Sequence, residues 1–226
     1  MYYQNIRQGI FISRPNRFIA HIEIDGKNEI CHVKNTGRCR ELLIPGAIVY
    51  VQESDNPNRR TRFDLIAVRK GNRLINVDSS APNKLFREWV ISSGFFGPVD
   101  KIFPERRFGD SRLDYYIESA DNHIFVEVKG VTLEDNGIVR FPDAPTERGV
   151  RHMGELVRCI GDGYSACAAF VIQMDDVLYF EPNWETHPAF GQALISAQNA
   201  GVKLIAFQCC VTENSIIPGD PVEIRL

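Results

Sequence analysis

The 226-residue sequence lacks an apolar run of membrane-spanning length, and it does not open on a basic stretch that leads into an apolar one. We therefore expect neither a membrane protein nor a secreted one, and we expect the chain to lie in the cytoplasm. Its six cysteines form no C-x-x-C pair, which argues against a zinc ribbon and favours free thiols. Internal repeats and low-complexity segments are also lacking, so neither a repeat array nor a disordered tract is expected.

Charge is unevenly distributed along the chain. The formal net charge of −3 does not by itself suggest a partner such as nucleic acid. Residues 1–78, however, carry 13 Lys and Arg against 8 Asp and Glu, a net of +5, whereas residues 79–226 carry 13 against 21, a net of −8. A basic half joined to an acidic half indicates a polyanion-binding module beside a part that collects carboxylates.

The first 78 residues contain short β-branched and aromatic runs, separated by turn sequences such as Asp25-Gly26 and Pro45-Gly46. Thr36–Leu43 is expected to form a loop with a short helix. About five strands with one helical insert favour an OB-like β-barrel. The strand-like runs are Ile6–Ser13, Phe18–Ile24, Glu29–Val33, Ala47–Gln52, Arg62–Arg69 and Arg73–Val77.

The pattern changes after residue 78, where Ser79-Ser80-Ala81-Pro82 predicts the start of a helix with a capping serine. We therefore predict two domains, 1–78 and 79–226. The order helix, three strands, helix, strand, helix, strand predicts an α/β domain for the second, and the whole chain is of the α+β type. Its later elements are predicted at Lys101–Phe108, Leu113–Ile117, Ile124–Val128, Ile138–Phe141, Thr146–Ile160, Ala168–Gln173, His187–Ala200 and Lys203–Val211.

The most informative local feature is Asp114 on one predicted strand, followed by Glu127-Val128-Lys129 at the end of the next. The spacing suits a hairpin, so the two strands should be neighbours. Glu127 and Lys129 are two residues apart and should share one face of the sheet, with Val126 and Val128 on the opposite, apolar face. Two carboxylates and one ammonium would then cluster at a strand end.

Such a cluster suits phosphodiester hydrolysis. Mg²⁺ takes oxygen ligands, so we predict a site for Mg²⁺ or Mn²⁺ made by Asp114, Glu127 and the backbone carbonyl of Val128. Lys129 would orient the attacking water or stabilise the transition state. A solvated surface ion pair is the structural alternative for this pattern. Glu88 on the preceding helix is a further candidate ligand, with a solvent-facing position as its alternative.

Over about residues 80–175 the order of elements resembles the core of the PD-(D/E)xK nucleases, with Leu113-Asp114 where Pro-Asp is expected. A more specific resemblance covers nearly the whole chain. Six blocks in order resemble the sugar fermentation stimulation protein A (SfsA) family, with Cys39 where methionine is frequent. They are Asn35-Thr36-Gly37-Arg38, Leu43-x-Pro45-Gly46, Arg62-x-Asp64, Ser111-Arg112-x-Asp114, Val126-Glu127-Val128-Lys129-x-Val131-Thr132-Leu133 and Phe141-Pro142-Asp143-Ala144-x-Thr146-Glu147-Arg148-Gly149.

The resemblance implies a DNA-binding protein with an OB-like first domain and a nuclease-like second domain. The leading hypothesis is DNA binding with magnesium-dependent phosphodiesterase activity. One alternative is a DNA-binding regulator of sugar (maltose) metabolism that keeps the nuclease fold as a scaffold. A further alternative is an interaction protein whose carboxylates bind no metal.

Basic side chains near the loops of the barrel and near the acidic cluster are candidates for contacts with phosphate groups. The face of the helix that carries Arg148 can look toward the scissile phosphate, or it can form a solvated ion-pair strip. We expect nucleic acid, most simply DNA, as the partner, and no membrane. The candidates are Lys34, Arg38, Arg40, Arg62, Arg107, Arg112 and Arg148.

Overall fold

A computed structural model describes residues 1–35, 37–120 and 122–226. Six strands fill the first part of the chain, each coinciding with one of the strand-like runs of the sequence. They are β1 (Ile6–Asn16), β2 (Ile19–Ile24), β3 (Lys27–His32), β4 (Ile48–Glu53), β5 (Phe63–Lys70) and β6 (Arg73–Asn76). Most are rich in β-branched or aromatic residues, as in β4 and β5.

The strands pair in the order β3-β2-β1-β4-β5-β6, and a parallel pairing of β3 with β5 closes the first five into a barrel. Phe11, Ile22 and Leu65 fill its interior. The OB-like barrel expected from the sequence is thus present. The short helix expected over Thr36–Leu43 is not: Thr36 lies outside the described residues, and 37–43 form only turns. Short turns there satisfy the backbone locally, as when Leu43 N–H donates to the Cys39 carbonyl at 2.9 Å.

The second part of the chain alternates helices and strands. Its helices carry one apolar stripe each, and its inner strands are apolar on both faces, as expected for a sheet covered on both sides. The elements are α1 (Ala81–Ser93), β7 (Lys101–Phe108), β8 (Ser111–Ser119), β9 (Asn122–Val131), β10 (Leu133–Asp135), β11 (Ile138–Phe141), α2 (Glu147–Gly161), β12 (Ser165–Ile172), β13 (Tyr179–Pro182), α3 (Pro188–Asn199), β14 (Lys203–Thr212) and β15 (Ser215–Pro221).

A six-stranded mixed sheet of order β15-β14-β12-β9-β8-β7 forms the centre of this α/β part. β12 runs parallel to both β9 and β14, while β7, β8 and β15 pair antiparallel. Helix α1 packs on one face through residues such as Leu85 and Phe86, against Val126 and Val128. Helices α2 and α3 cover the other face. A small sheet, β10-β11-β13, lies beside them.

The two long helices begin for different local reasons. Thr146 caps α2, because its hydroxyl accepts the Gly149 N–H at 3.0 Å. Ser80 occupies the equivalent position before α1 but does not cap it, contrary to expectation. Its hydroxyl donates to Asp78 instead, at 2.8 Å, since the buried Asp78 carboxylate is the stronger acceptor.

The barrel and the α/β part share an apolar cluster that includes Ile66 of β5 and Leu85 of α1, and they also make specific polar contacts. Lys70 and Arg73 both reach the buried Glu134 carboxylate, at 2.8 and 2.6 Å. Gln173 donates its amide to Asn76 at 2.9 Å. The boundary that we predict between residues 78 and 79 falls in the connection from β6 to α1. In the described part of the chain, no helix has both the length and the apolarity to cross a membrane.

Candidate active site and nucleic-acid interface

Strands β8 and β9 separate at the position of the predicted acids. Their ladder is regular from Ser119–Asn122 to Tyr115–Val126 and stops there. Beyond it, the Val128 N–H donates to the carboxylate of Asp114 at 2.8 Å, so this side chain takes the place of a backbone acceptor. On its other edge β9 stays paired with β12 as far as Val131. The sheet therefore opens next to a rigid strand, which holds Asp114 and Glu127 together.

Glu127 is buried, with 3% of its surface exposed. Its Oε1 accepts hydrogen bonds from the ammonium of Lys129, at 2.5 Å, and from the ring of His152. Burial alone would raise the pKa of Glu127, but the His152 hydrogen bond and the charge of Lys129 outweigh burial and lower the pKa. Its other oxygen, Oε2, is buried and has no hydrogen-bond partner. A buried carboxylate oxygen without a partner is costly, and a cation would satisfy it.

Asp114 lies in a different electrostatic environment. Burial, and then the negative charge of Glu127, raise its pKa above the ordinary value, despite hydrogen bonds from Val128 and Asn83. Asn83, on the first turn of α1, donates to Asp114 at 3.1 Å. The two carboxyl pKa values are thus shifted in opposite directions. Such pairs occur where a site is organised for chemistry more often than where packing alone decides.

Glu127 and Lys129 share one face of the sheet, as the spacing predicts. Val126 and Val128 lie on the other face with α1, also as predicted. The alternative interpretation, a solvated surface ion pair between Glu127 and Lys129, does not hold. The Glu127 side chain is 4% exposed and that of Lys129 is 15% exposed, so the pair is largely shielded from solvent.

His152, on the buried face of α2, is a site residue whose role sequence spacing did not reveal. Its Nδ1 bonds Glu127, and its Nε2 accepts from Arg148 Nε at 3.3 Å. Because Nε2 accepts, Nδ1 carries the proton, and His152 is a donor that holds Glu127 in place. The sequence places Arg148 and His152 at i and i+4 on one helix face, but only the fold shows which strand that face meets.

Glu88 does not join the two acids. Its side chain is half exposed and lies 3.4 Å from the N-terminal ammonium of Met1. Across residues 1–35, 37–120 and 122–226, no three His, Cys, Asp or Glu side chains are grouped to hold a metal ion. A metal at this site would therefore be held by two carboxylates with water or substrate oxygens. The Val128 carbonyl stays a predicted ligand.

Two of the predicted phosphate-binding residues already pair with carboxylates of the barrel. Lys34 lies 3.3 Å from Asp78 and 3.6 Å from Asp64, both buried. Arg62 Nε donates to Glu53 at 2.8 Å. Lys34 is thus engaged with two buried acids, and its contact with phosphate stays a prediction. Arg62 remains 59% exposed, so its other donors still face solvent.

Arg38 and Arg40 line a cleft of about 490 Å³ on the barrel, together with Arg14 and Arg17. Arg14 donates to the backbone carbonyls of Asn35, Gly37 and Arg38 at 2.7–2.9 Å, and so shapes the loop that presents the other arginines. A second cleft of about 410 Å³ lies between the β7–β8 turn and α2. It is lined by Asp110, Ser111, Arg112, Arg148, Arg151 and His152.

Arg112 and Arg107 both lie at the exposed end of the β7–β8 hairpin. Arg112 is 3.4 Å from Glu105, and both side chains are 66% exposed, so this pair is weak and available for exchange. Arg107 donates to the Gly109 carbonyl at 3.1 Å.

Gly37 lies between two cavities. It lines the arginine cleft, and it also lines a neighbouring cavity of about 270 Å³ that contains Gly130 and Asp143. A Cβ on Gly37 would lie 2.6 Å from Asp143 Oδ2, so any other residue here would require the Asp143 side chain to shift. The Arg38 N–H donates to Asp143 at 2.8 Å. Gly130 directly follows Lys129 in β9, so this second cavity adjoins the strand that carries Glu127 and Lys129.

Comparison with known proteins agrees with this architecture. Residues 12–77 match the model of the SfsA N-terminal OB domain, and residues 80–215 match that of the sugar fermentation stimulation protein RE domain. A sugar fermentation stimulation protein homolog from Desulfitobacterium hafniense (strain DSM 10664 / DCB-2) is 59% identical over 226 residues, covering 100% of this chain and 99% of the relative. A homolog from Ruminiclostridium cellulolyticum is 58% identical over 226 residues, covering 100% of both.

A solved structure shares the whole fold. SfsA of Pyrococcus furiosus, in complex with Ca²⁺, matches with a TM-score of 0.89 at 29% identity, over 100% of this chain and 98% of that one. The resemblance noted in the sequence blocks is therefore confirmed on both domains. The chain belongs to the sugar fermentation stimulation protein family.

Proposed function

We propose that the protein binds DNA and hydrolyses its phosphodiester bonds with a divalent ion, Mg²⁺ or Mn²⁺, held by Asp114 and Glu127. The observation that carries this proposal is the buried acid pair at the opening between β8 and β9, where Glu127 Oε2 has no partner. The order of elements around the pair, which resembles that of PD-(D/E)xK nucleases, supports a phosphodiesterase over other metal-dependent hydrolases.

The residues present fit a hard divalent ion. Mg²⁺ is commonly held by one or two carboxylates, with water and substrate oxygens completing its shell. Burial first, and then repulsion by Glu127, raise the pKa of Asp114, and a cation between the two carboxylates would relieve that repulsion. The Pyrococcus furiosus relative was solved in complex with Ca²⁺, another ion that prefers oxygen ligands. The ion would lower the pKa of a bound water and offset the charge that develops on phosphate.

Lys129 and His152 divide the remaining work. The ammonium of Lys129 has three N–H donors, and one of them donates a hydrogen bond to Glu127 Oε1. The other donors of Lys129 can stabilise charge on the phosphate or orient the attacking water. His152 holds Oε1 through Nδ1, which leaves Oε2 free for the cation. Partners of this kind around a metal-binding carboxylate typically matter 10–100-fold for metal affinity.

The DNA would follow the surface from the barrel to the acids. Arg38 and Arg40 would contact phosphates in the barrel cleft, and Arg112 and Arg148 would do so beside His152. Arg107 would contribute from the hairpin end. Phosphate contacts by arginine set position and affinity, and they depend strongly on salt because they release counterions. Arg62 can join after release from Glu53.

Calorimetry with Mn²⁺ tests the metal site. Wild type should give a binding isotherm, while Asp114→Ala and Glu127→Ala should give almost no heat, since one carboxylate makes a poor site. Glu88→Ala is the matched control, and it should bind as wild type does because its carboxylate pairs with Met1. Equal heats in all four proteins would place the ion elsewhere.

A labelled-DNA assay separates the enzyme from the alternative function. Cleavage that needs Mg²⁺ or Mn²⁺ supports the phosphodiesterase. The alternative is DNA binding with no cleavage of single- or double-stranded DNA or RNA. That result would favour a regulator of sugar metabolism, in which the fold recognises DNA and does not cut it.

A further inference from the structure

We infer that an exposed aromatic surface beside the acid pair stacks an unpaired nucleobase, so that the substrate is a nucleic acid with a single-stranded segment. The surface, here called the aromatic platform, consists of Phe103 on β7, Tyr116 on β8 and His123 on β9, with Arg106 above them. This inference rests on the proposed function and deepens it by naming the strand state of the substrate.

Tyr116 and His123 form one flat surface. Their ring planes differ by 9° and their centroids are 5.8 Å apart. The Tyr116 hydroxyl and His123 Nδ1 are hydrogen-bonded at 2.7 Å. Atoms of face-stacked rings stay about 3.5 Å or more apart. A 2.7 Å contact between nearly parallel planes therefore places the rings side by side, as in a hydrogen-bonded base pair.

The platform lies at the β7 edge of the six-stranded sheet and is accessible to solvent. His123 and Arg106 are exposed, and Phe103 and Tyr116 are partly exposed. Phe103 and Tyr116 are directly paired across β7 and β8, with centroids 6.0 Å apart. The Tyr116 ring packs on the buried Phe125 of the core that α2 covers, with ring centroids 4.9 Å apart. The remainder of Tyr116, with Phe103 and His123, stays accessible to solvent.

The charge around the platform is complementary to a phosphate backbone. The Arg106 guanidinium lies 5.7 Å from the Phe103 ring centroid and 5.6 Å from that of Tyr116. In the part of the chain that the structure describes, neither Arg106 nor Arg107 has a carboxylate within ion-pair distance. Cations interleaved with aromatic rings are how proteins bind single strands, since every base has a π-face and every nucleotide a phosphate. A protein partner would not require this combination.

The position of the platform relative to the acids suits a substrate strand. Tyr116 is two residues from Asp114 along β8, a distance of about 7 Å in a strand. That distance equals roughly two stacked nucleotide steps of 3.4 Å. A base on Tyr116 would hold the neighbouring phosphates near the opening between β8 and β9. Bases inside an intact duplex cannot reach such a surface, so the segment must be unpaired.

Fluorescence anisotropy with a short labelled oligothymidylate and a duplex of equal length, both in EDTA, tests the inference without cleavage. Tyr116→Ala and His123→Ala should each weaken oligothymidylate binding about tenfold, because stacking is worth roughly 1–3 kcal/mol per base. Duplex affinity should not change. Tyr116→Phe, which keeps the ring and loses only the hydroxyl bonded to His123, should lose much less affinity than Tyr116→Ala. Phe95→Ala is the control, since Phe95 is an aromatic residue 41% exposed elsewhere on the surface.

An oligonucleotide that contains the fluorescent base 2-aminopurine reports stacking directly. A purely structural role of Tyr116 would not produce quenching of this base. Its fluorescence should be quenched by wild type and by Tyr116→Phe, and much less by Tyr116→Ala. His123 is exposed, so His123→Ala should stay folded even if the tyrosine variant does not. Wild-type affinity for oligothymidylate in both alanine variants would overturn the platform while leaving the proposed function intact. Failure of wild type to bind either DNA would overturn both.

Discussion

The two acids of the site should change stability in opposite directions when each is neutralised. Asp114→Asn should raise the unfolding temperature of the metal-free protein at neutral pH, and Glu127→Gln should lower it. The reason is that burial and the charge of Glu127 raise the pKa of Asp114, whereas His152 and Lys129, against the effect of burial, lower the pKa of Glu127. In the asparagine variant Asn83 can turn its amide, so the hydrogen bonds are kept.

The pH dependence of unfolding should show the same opposite effects of the two acids on stability. Because the pKa of Asp114 is raised, wild type loses stability relative to Asp114→Asn as pH rises from 3.8 through the folded value, and the difference is constant above it. Because the pKa of Glu127 is lowered, its ion pairs stabilise wild type above 4.5. That stability is lost as pH falls through the folded value. The two variants should therefore diverge as pH rises and converge in acid.

The magnitudes are within reach of thermal unfolding. Removing one partner of a buried ion pair costs on the order of 3 kcal/mol. For a chain of this size each kcal/mol moves the unfolding temperature by roughly 2–4 °C, so Glu127→Gln should unfold about 6–12 °C lower. An ion that binds only the folded protein, present at a hundred times its Kd, adds about 2.7 kcal/mol to the free energy of unfolding. Mn²⁺ should therefore raise the unfolding temperature of wild type by about 5–11 °C. It should raise that of the two variants by little.

The assay is differential scanning calorimetry across pH in EDTA and again in Mn²⁺. An Asp114→Asn protein that unfolds below wild type in EDTA at neutral pH would contradict the opposite shifts of the two carboxyl pKa values. Equal stabilisation of wild type and both variants by Mn²⁺ would contradict the metal site.

Further outcomes follow from the barrel and from the packing beside the site. Arg38→Ala with Arg40→Ala should weaken DNA binding and reduce the slope of log affinity against log salt by about 2, as measured by titration at several salt concentrations. Gly130→Ala should cost about 1–3 kcal/mol in urea unfolding, because its Cβ would lie 2.6 Å from Pro82 and from Gln173. Gly154→Ala is its control, with nothing within 4 Å of the added Cβ; inside a helix it should stabilise by about 0.5–1 kcal/mol. Asp64→Asn should destabilise by roughly 3–5 kcal/mol at neutral pH and much less in acid, since Arg59 and Lys34 lower the pKa of the buried Asp64 carboxyl against the effect of burial.

What the sequence predicted well was set by local rules. β11 was placed at Ile138–Phe141 and β7 at Lys101–Phe108, where the structure has them. Period-2 alternation placed Glu127 and Lys129 on one face, and the hairpin spacing brought Asp114 beside them. These predictions need only neighbouring residues and one turn, so propensity and pattern suffice.

What the sequence did not predict depends on contacts between distant residues. Glu88 is a candidate ligand by its place on α1, but the sequence does not show that the fold places it beside Met1. Lys34 had the same local character as Arg38, but it faces two buried acids. His152 meets Glu127 only because α2 packs on β9. A residue type and its spacing give the chemistry available, whereas the fold decides which partner uses it.

The central claim is that Asp114, Glu127 and Lys129 form a working phosphodiesterase site. It is tested most directly by cleavage of labelled DNA by wild type and Lys129→Ala, with Mg²⁺, Mn²⁺ or chelator, alongside a gel shift. Wild type should cut with metal only. Lys129→Ala should fall at least about a hundredfold in rate while shifting DNA at the wild-type concentration, since its ammonium acts in the transition state. Cleavage that persists in Lys129→Ala, or the lack of any cleavage by wild type, would contradict the claim.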